Sequence, residues 1–160
     1  MKLLIVIIFM FLLSPHIVPC KPDCPATSSF STDSLEPTWN IQMVKANKFW
    51  NVTNYRGENV IIAIIDSGVN YTLPDLEDNY LGGYDFGEND TDPMDNHPAG
   101  HGTSCASIAV GKGDSQCVGV APNAKYFALK ITDNQANYRY ECWDDAIYWA
   151  VNHGADIISM

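Results

Sequence analysis

A chain of 160 residues is one domain at most, or part of a larger one. Its apolar content of 46% is ordinary for a folded protein and too high for a disordered one. The formal charge of −10 argues against a nucleic-acid partner, which asks for a basic footprint.

Met1 and Lys2 precede eleven apolar residues, Leu3 to Leu13, and then Ser14-Pro15. A short positive start, an apolar run of that length and a turn make a secretory signal peptide, too short to span a membrane. Residues 1–20 are expected to leave after Cys20, giving a secreted protein with no membrane attachment. Residues 21–38 are rich in Pro, Ser, Thr and Asp without apolar period and are expected to form a flexible leader. Residues 39–160 form the folded part. Five cysteines (Cys20, Cys24, Cys105, Cys117, Cys142) fit an oxidising compartment, and no Cys-x-x-Cys pair suggests a metal. Asn51, Asn70 and Asn89 open Asn-x-Thr sequons and are candidates for glycosylation.

Ile41, Val44, Ala46 and Phe49 suggest a short helix or turn packed on the body. Val60 to Ile65 is an unbroken apolar run that ends at Asp66 and a Ser67-Gly68 turn. Such a run is what a parallel strand covered on both faces looks like. Chemistry in open α/β sheets sits just past the carboxyl ends of these strands, where Asp66 falls; an ordinary turn aspartate would look the same. Tyr80 to Ala99, interrupted by glycines and prolines, is expected to be an acidic loop. Small residues from Gly102 to Val110 suit a helix packed closely on a sheet. Tyr126 to Ile131 gives a second apolar strand. Asp144 to His153 is expected to be a helix, with acids in its first turn and Gly154 after its end. Ala155 to Met160 gives a third strand, apolar and in need of further neighbours. This order predicts an α/β fold with a doubly wound parallel sheet.

Asp66 at a strand end and His101 opening a small-residue helix are two thirds of an Asp-His-Ser nucleophile site. His97 and His101 also have the spacing of paired imidazole ligands, but Pro98 and Gly100 break the helix that would align them.

Ile64-Ile65-Asp66-Ser67-Gly68-Val69, Leu73-Pro74-Asp75-Leu76, Gly100-His101-Gly102-Thr103 and Gly119-Val120-Ala121-Pro122-Asn123-Ala124 resemble the subtilisin-like family of serine endopeptidases. Trp149 to Met160 is similar to the family's next helix and strand, so the resemblance runs from about Ile41 to the last residue. It implies a subtilisin-like sheet, incomplete at its C-terminal side, and protein or peptide substrates. His101 would be the general base on a serine hydroxyl and Asp66 the residue orienting its ring. Gly100 and Gly102 would leave room for substrate backbone beside the ring. Cys105 matches a free thiol buried behind the histidine in proteinase-K-like and proprotein-convertase branches; a small core hydrophobe is the plainer reading. Asp75 matches a family calcium ligand, which suggests structural Ca2+, although a merely solvated acidic loop explains the acids equally well. The Asp85 to Pro93 loop is similar to the convertase branch, but Ser67 stands where that branch carries a second aspartate.

Gly102-Thr103-Ser104-Cys105-Ala106 has letters like the family's nucleophile motif, Gly-Thr-Ser-Met-Ala. That motif comes later in the family and is followed by a proline, whereas Ser107-Ile108 follow here. Ser104 shares a helix with His101 and is not assigned as nucleophile, so none is assigned in this chain. The expectation is therefore the N-terminal portion of a secreted serine endopeptidase, lacking its serine and its oxyanion-hole asparagine. The alternatives are a secreted non-catalytic pseudo-protease and a calcium-binding module.

Overall fold

The computed structural model describes residues 5–7, 39–114 and 117–160. The expected signal peptide and leader lie outside the described residues, apart from Ile5–Ile7, whose backbone forms strand β1. The remaining strands are β2 (Ile61–Asp66), β3 (Tyr80–Asp85), β4 (Lys125–Lys130) and β5 (Ile157–Ser159). The helices are α1 (Trp39–Met43), α2 (Ala46–Thr53), α3 (His101–Val110) and α4 (Trp143–Asn152). The strands join in the order β1-β5-β2-β4-β3, and every pairing is parallel.

Side chains along β2 alternate between two cores, as the period of a strand requires. Ile62 and Ile64 pack with Tyr126 and Ala128 of β4 under Ala106 and Val110 of α3. Ala63 and Ile65 pack with Phe127, Leu129 and Ile158 under Ala146 and Ala150 of α4. Helices thus cover both faces, which makes the sheet doubly wound and explains why β2 carries no polar residue before Asp66. Each buried isoleucine contributes about 1.5–3 kcal/mol of burial. A smaller cluster of Ile41, Ala46, Trp50 and Val118 attaches α1 and α2, and the Trp50 indole N–H donates to the Val120 carbonyl at 3.1 Å.

The structure departs from the sequence reading in one part of the sheet. Tyr80 to Asp85 is a strand, not part of a loop. Its glycines hid it, yet one of them is what lets it pair: a Cβ on Gly83 would lie 1.9 Å from the Ala128 carbonyl oxygen. The register also shifts between Tyr80 and Gly83, which erases any clean alternation. β5 pairs with β2 on one side and with Ile5–Ile7 on the other, so loss of residues 1–20 would leave that edge of the sheet open, as the expected incomplete sheet requires.

β3 is tied to β4 by a buried ion pair. Lys130 Nζ lies 2.7 Å from Asp85 Oδ2, and both side chains are 2% exposed. The other carboxylate oxygen of Asp85 accepts the N–H groups of Gly87 and Glu88, so its remaining capacity is used by the loop that follows. A buried pair satisfied in this way is strongly destabilised if one partner is removed.

Candidate active site

Asp66 is the last residue of β2 and is 8% exposed. His101 is the first residue of α3, and its side chain is 48% exposed. The two come together: His101 Nδ1 lies 2.9 Å and 2.8 Å from the two carboxylate oxygens of Asp66. Oδ1 of Asp66 also accepts the Ser67 N–H at 2.6 Å and the Tyr138 hydroxyl at 3.4 Å. With the carboxylate as acceptor, Nδ1 carries the proton and Nε2 is left as a base.

Local sequence explains how two elements 35 residues apart meet so closely. Gly68 turns the chain out of β2 at φ +100°, and Gly100 starts α3 at φ +58°. Gly102 is buried, and a Cβ there would lie 2.1 Å from the Gly68 carbonyl oxygen. The glycine after the histidine therefore makes room for the chain's own turn, which corrects the expectation that it clears space for substrate. Gly100 is open, with Asp95 Oδ2 at 4.0 Å the nearest atom to a built Cβ.

Beneath this pair lies a second set of polar contacts. Gly102 N–H donates to Ser67 Oγ at 2.9 Å, and Ser67 Oγ–H donates to Asp95 Oδ1 at 3.1 Å. Asp95 Oδ2 accepts the N–H and the hydroxyl of Thr103 at 3.0 Å and 2.5 Å. Sequence reasoning missed Asp95 and Tyr138 as neighbours of the pair. Asp95 is one acid in an acidic run and Tyr138 one tyrosine among polar residues, with no periodicity to mark either.

Cys105 is a free thiol, half-buried and not fully buried as expected, with its sulfur 3.8 Å from His101 Nδ1. Burial, then the negative charge of Asp66, pushes this thiol up to about 11. The same causes push the Tyr138 phenol up to about 12. Ser104 Oγ–H donates back to the Gly100 carbonyl at 2.9 Å. The His97 ring lies against Tyr138, and its Nδ1 accepts the Ala99 N–H. Asn51 and Asn89 are exposed, whereas the Asn70 side chain is half-buried and its amide oxygen accepts from Thr72.

Asp75 is 6% exposed. Its Oδ2 accepts the Cys117 N–H at 3.2 Å, and its carbonyl accepts the Lys112 N–H at 2.9 Å. Calcium takes roughly six to eight oxygens. Among the described residues, three ligating side chains converge at Asp66, His101 and Cys105, a set with an imidazole and a thiol that does not suit calcium. Among the described residues, no group of three or more His, Cys, Asp or Glu side chains converges on Asp75.

Fold and site together define a doubly wound α/β protein with a carboxylate–imidazole pair at the carboxyl edge of its parallel strands. A model of the subtilase family matches residues 57–160. Thermitase from Thermoactinomyces vulgaris is 35% identical over 121 residues, which cover 74% of this chain and 42% of that protein. Thermophilic serine proteinase from Bacillus sp. (strain AK1) is 38% identical over 113 residues, covering 69% of this chain and 27% of that protein. Subtilisin E from Bacillus subtilis (strain 168) is 34% identical over 123 residues, covering 76% of this chain and 31% of that protein. The chain belongs to the subtilase family, and it spans well under half the length of these relatives.

Proposed function

We propose that this chain is the Asp–His half of a serine endopeptidase that hydrolyses peptide bonds in protein or peptide substrates. The observation that carries the reading is the Asp66–His101 contact at 2.8 Å, formed at a strand end in a subtilase chain. The nucleophilic serine and the oxyanion-hole donors would come from sequence that follows Met160. His101 Nε2 would take the proton as the serine oxygen attacks the scissile carbonyl, and the same nitrogen would return it to the leaving amine. Asp66 would hold the ring in the Nδ1–H tautomer and stabilise the imidazolium formed on the way. Asp66 suits that task because burial and contacts with Ser67 and Tyr138 fix its carboxylate on one edge of the ring.

On this reading the protein is secreted after loss of residues 1–20, and Asn51 and Asn89 carry glycans. Peptide N-glycosidase should then raise the gel mobility of the secreted product, and an unchanged mobility contradicts it. Among the described residues no helix is long and apolar enough to cross a membrane. A structural calcium with Asp75 as one ligand would show as a calcium-dependent melting temperature that Asp75→Asn abolishes; a melting temperature indifferent to chelator rejects it.

The test of the main reading is a fluorophosphonate probe applied to the protein as extended beyond Met160. Labelling of a serine, abolished by His101→Ala, supports the endopeptidase. A folded protein whose serines stay unlabelled points to the non-catalytic alternative.

A further inference from the structure

We infer that Asp95, acting through Ser67 and Thr103, is a positioning residue that holds His101 in register with Asp66. The inference rests on the proposed Asp–His reading and names what keeps that pair assembled.

The first turn of a helix leaves its N–H groups without partners, and a side chain at the N-cap position normally accepts from them. In α3 that position is Gly100, which has no side chain to offer. Two other residues supply the cap. Ser67 Oγ accepts the Gly102 N–H at 2.9 Å, and Asp95 Oδ2 accepts the Thr103 N–H at 3.0 Å. Ser67 is joined to Asp66 by one peptide bond and is fully buried. The residue after the aspartate therefore grips the residue after the histidine, and the distance between the two rigid elements is set next to the pair itself.

Asp95 decides which way that grip points. Its Oδ1 accepts the Ser67 hydroxyl proton at 3.1 Å, which turns a lone pair of Ser67 Oγ toward Gly102. Its Oδ2 accepts the Thr103 hydroxyl, and Thr103 Oγ1 in turn accepts the Asn70 N–H at 2.9 Å. The carboxylate thus bridges the turn after β2 and the start of α3 with both oxygens. Its own loop is pinned on the same turn, because the Val69 N–H donates to the Pro93 carbonyl at 2.9 Å. A negative charge at this end of α3 also opposes the positive end of the helix dipole, where His101 would otherwise have to become an imidazolium with Asp66 as its sole counter-charge.

A cap that merely stabilised α3 would lower stability when removed and leave the His101–Asp66 hydrogen bond intact. A positioning residue loosens that bond in a chain that is still folded. The bonded Nδ1–H proton of His101 gives a far-downfield resonance when the carboxylate protects it from exchange. The experiment records this resonance and the ring nitrogen shifts on the chain with nitrogen-15-labelled histidine. Asp66→Asn identifies the signal, and Ala150→Gly, on the opposite face of the sheet, controls for lost stability.

The resonance is expected in the wild-type and Ala150→Gly chains. It is expected to be lost in Asp95→Asn and in Ser67→Ala while the backbone amide spectrum stays dispersed. Ser67→Ala removes a single oxygen and carries the test by itself if Asp95→Asn does not fold. A resonance retained in Ser67→Ala overturns the assignment of Asp95 and Ser67 and leaves the Asp66–His101 pair standing. A wild-type chain without the resonance, or one that keeps it in Asp66→Asn, removes the pair and both readings with it.

Discussion

Gly102 has no side chain, and the place where one would begin is already filled by the Gly68 carbonyl oxygen and, at 3.0 Å, by Asp66 Cβ. Gly102→Ala should therefore push α3 away from the turn after β2. The expected cost is about 1–3 kcal/mol, as for other insertions into a packed site, read as a fall in the urea midpoint. An alanine variant as stable as the wild type contradicts the close approach. Cys105 makes a second residue-scale case. A thiol raised from 9.0 to about 11 holds about a hundredfold less thiolate at neutral pH. Iodoacetamide should alkylate it about a hundred times more slowly than an unperturbed thiol, and Asp66→Asn should speed the reaction. A rate equal to that of a free thiol contradicts the burial seen here. Both residues stood out in the sequence, His101-Gly102 by its motif and Cys105 by its place on the helix. What each one touches was not legible, because contact between residues 68 and 102 leaves no periodic trace.

Among the elements, β2, β4, α3, α4 and β5 were legible because each has a run or period that only one kind of structure satisfies. β2 is apolar up to Asp66 because both of its faces are covered, and α4 has Asp144 and Asp145 in its first turn and is followed by Gly154 at φ +85°. β3 was not legible. Its alternation is broken by Gly82 and Gly83, and its most buried residue is the acid Asp85. The pairing of Asp85 with Lys130 accounts for the second: the acid can end a buried strand because a lysine on the next strand meets it. Lys130→Met would leave the carboxylate buried without its cation. Destabilisation by about 3–5 kcal/mol is expected, with Asp85→Leu added to Lys130→Met recovering much of the loss. Chemical denaturation of the single and double variants checks this, and a single variant that unfolds like the wild type refutes the role given to the pair.

At the scale of the whole molecule, two cores face opposite sides of one parallel sheet, and the candidate functional residues gather where β2 ends and α3 begins. Asp66 and His101 could be placed from sequence because strand ends and helix starts were predictable and because several motifs stood in a family's order. The network under them could not, since Ser67, Asp95 and Thr103 come from three segments whose only common feature is the space they share. The apolar side chains of Val44, Phe49, Val120 and Ile108 stay largely exposed beside this sheet. On the proposed reading, later elements of the enzyme cover them.

The central claim is that Asp66 and His101 work as one unit on a serine nucleophile. Peptide hydrolysis by the protein extended beyond Met160 tests it, with kcat measured for the wild type, His101→Ala, Asp66→Asn and the double variant. The account predicts losses of about 10⁶-fold for His101→Ala and about 10⁴-fold for Asp66→Asn, with the double variant no worse than His101→Ala alone. Hydrolysis that survives His101→Ala, or losses that multiply in the double variant, would contradict it.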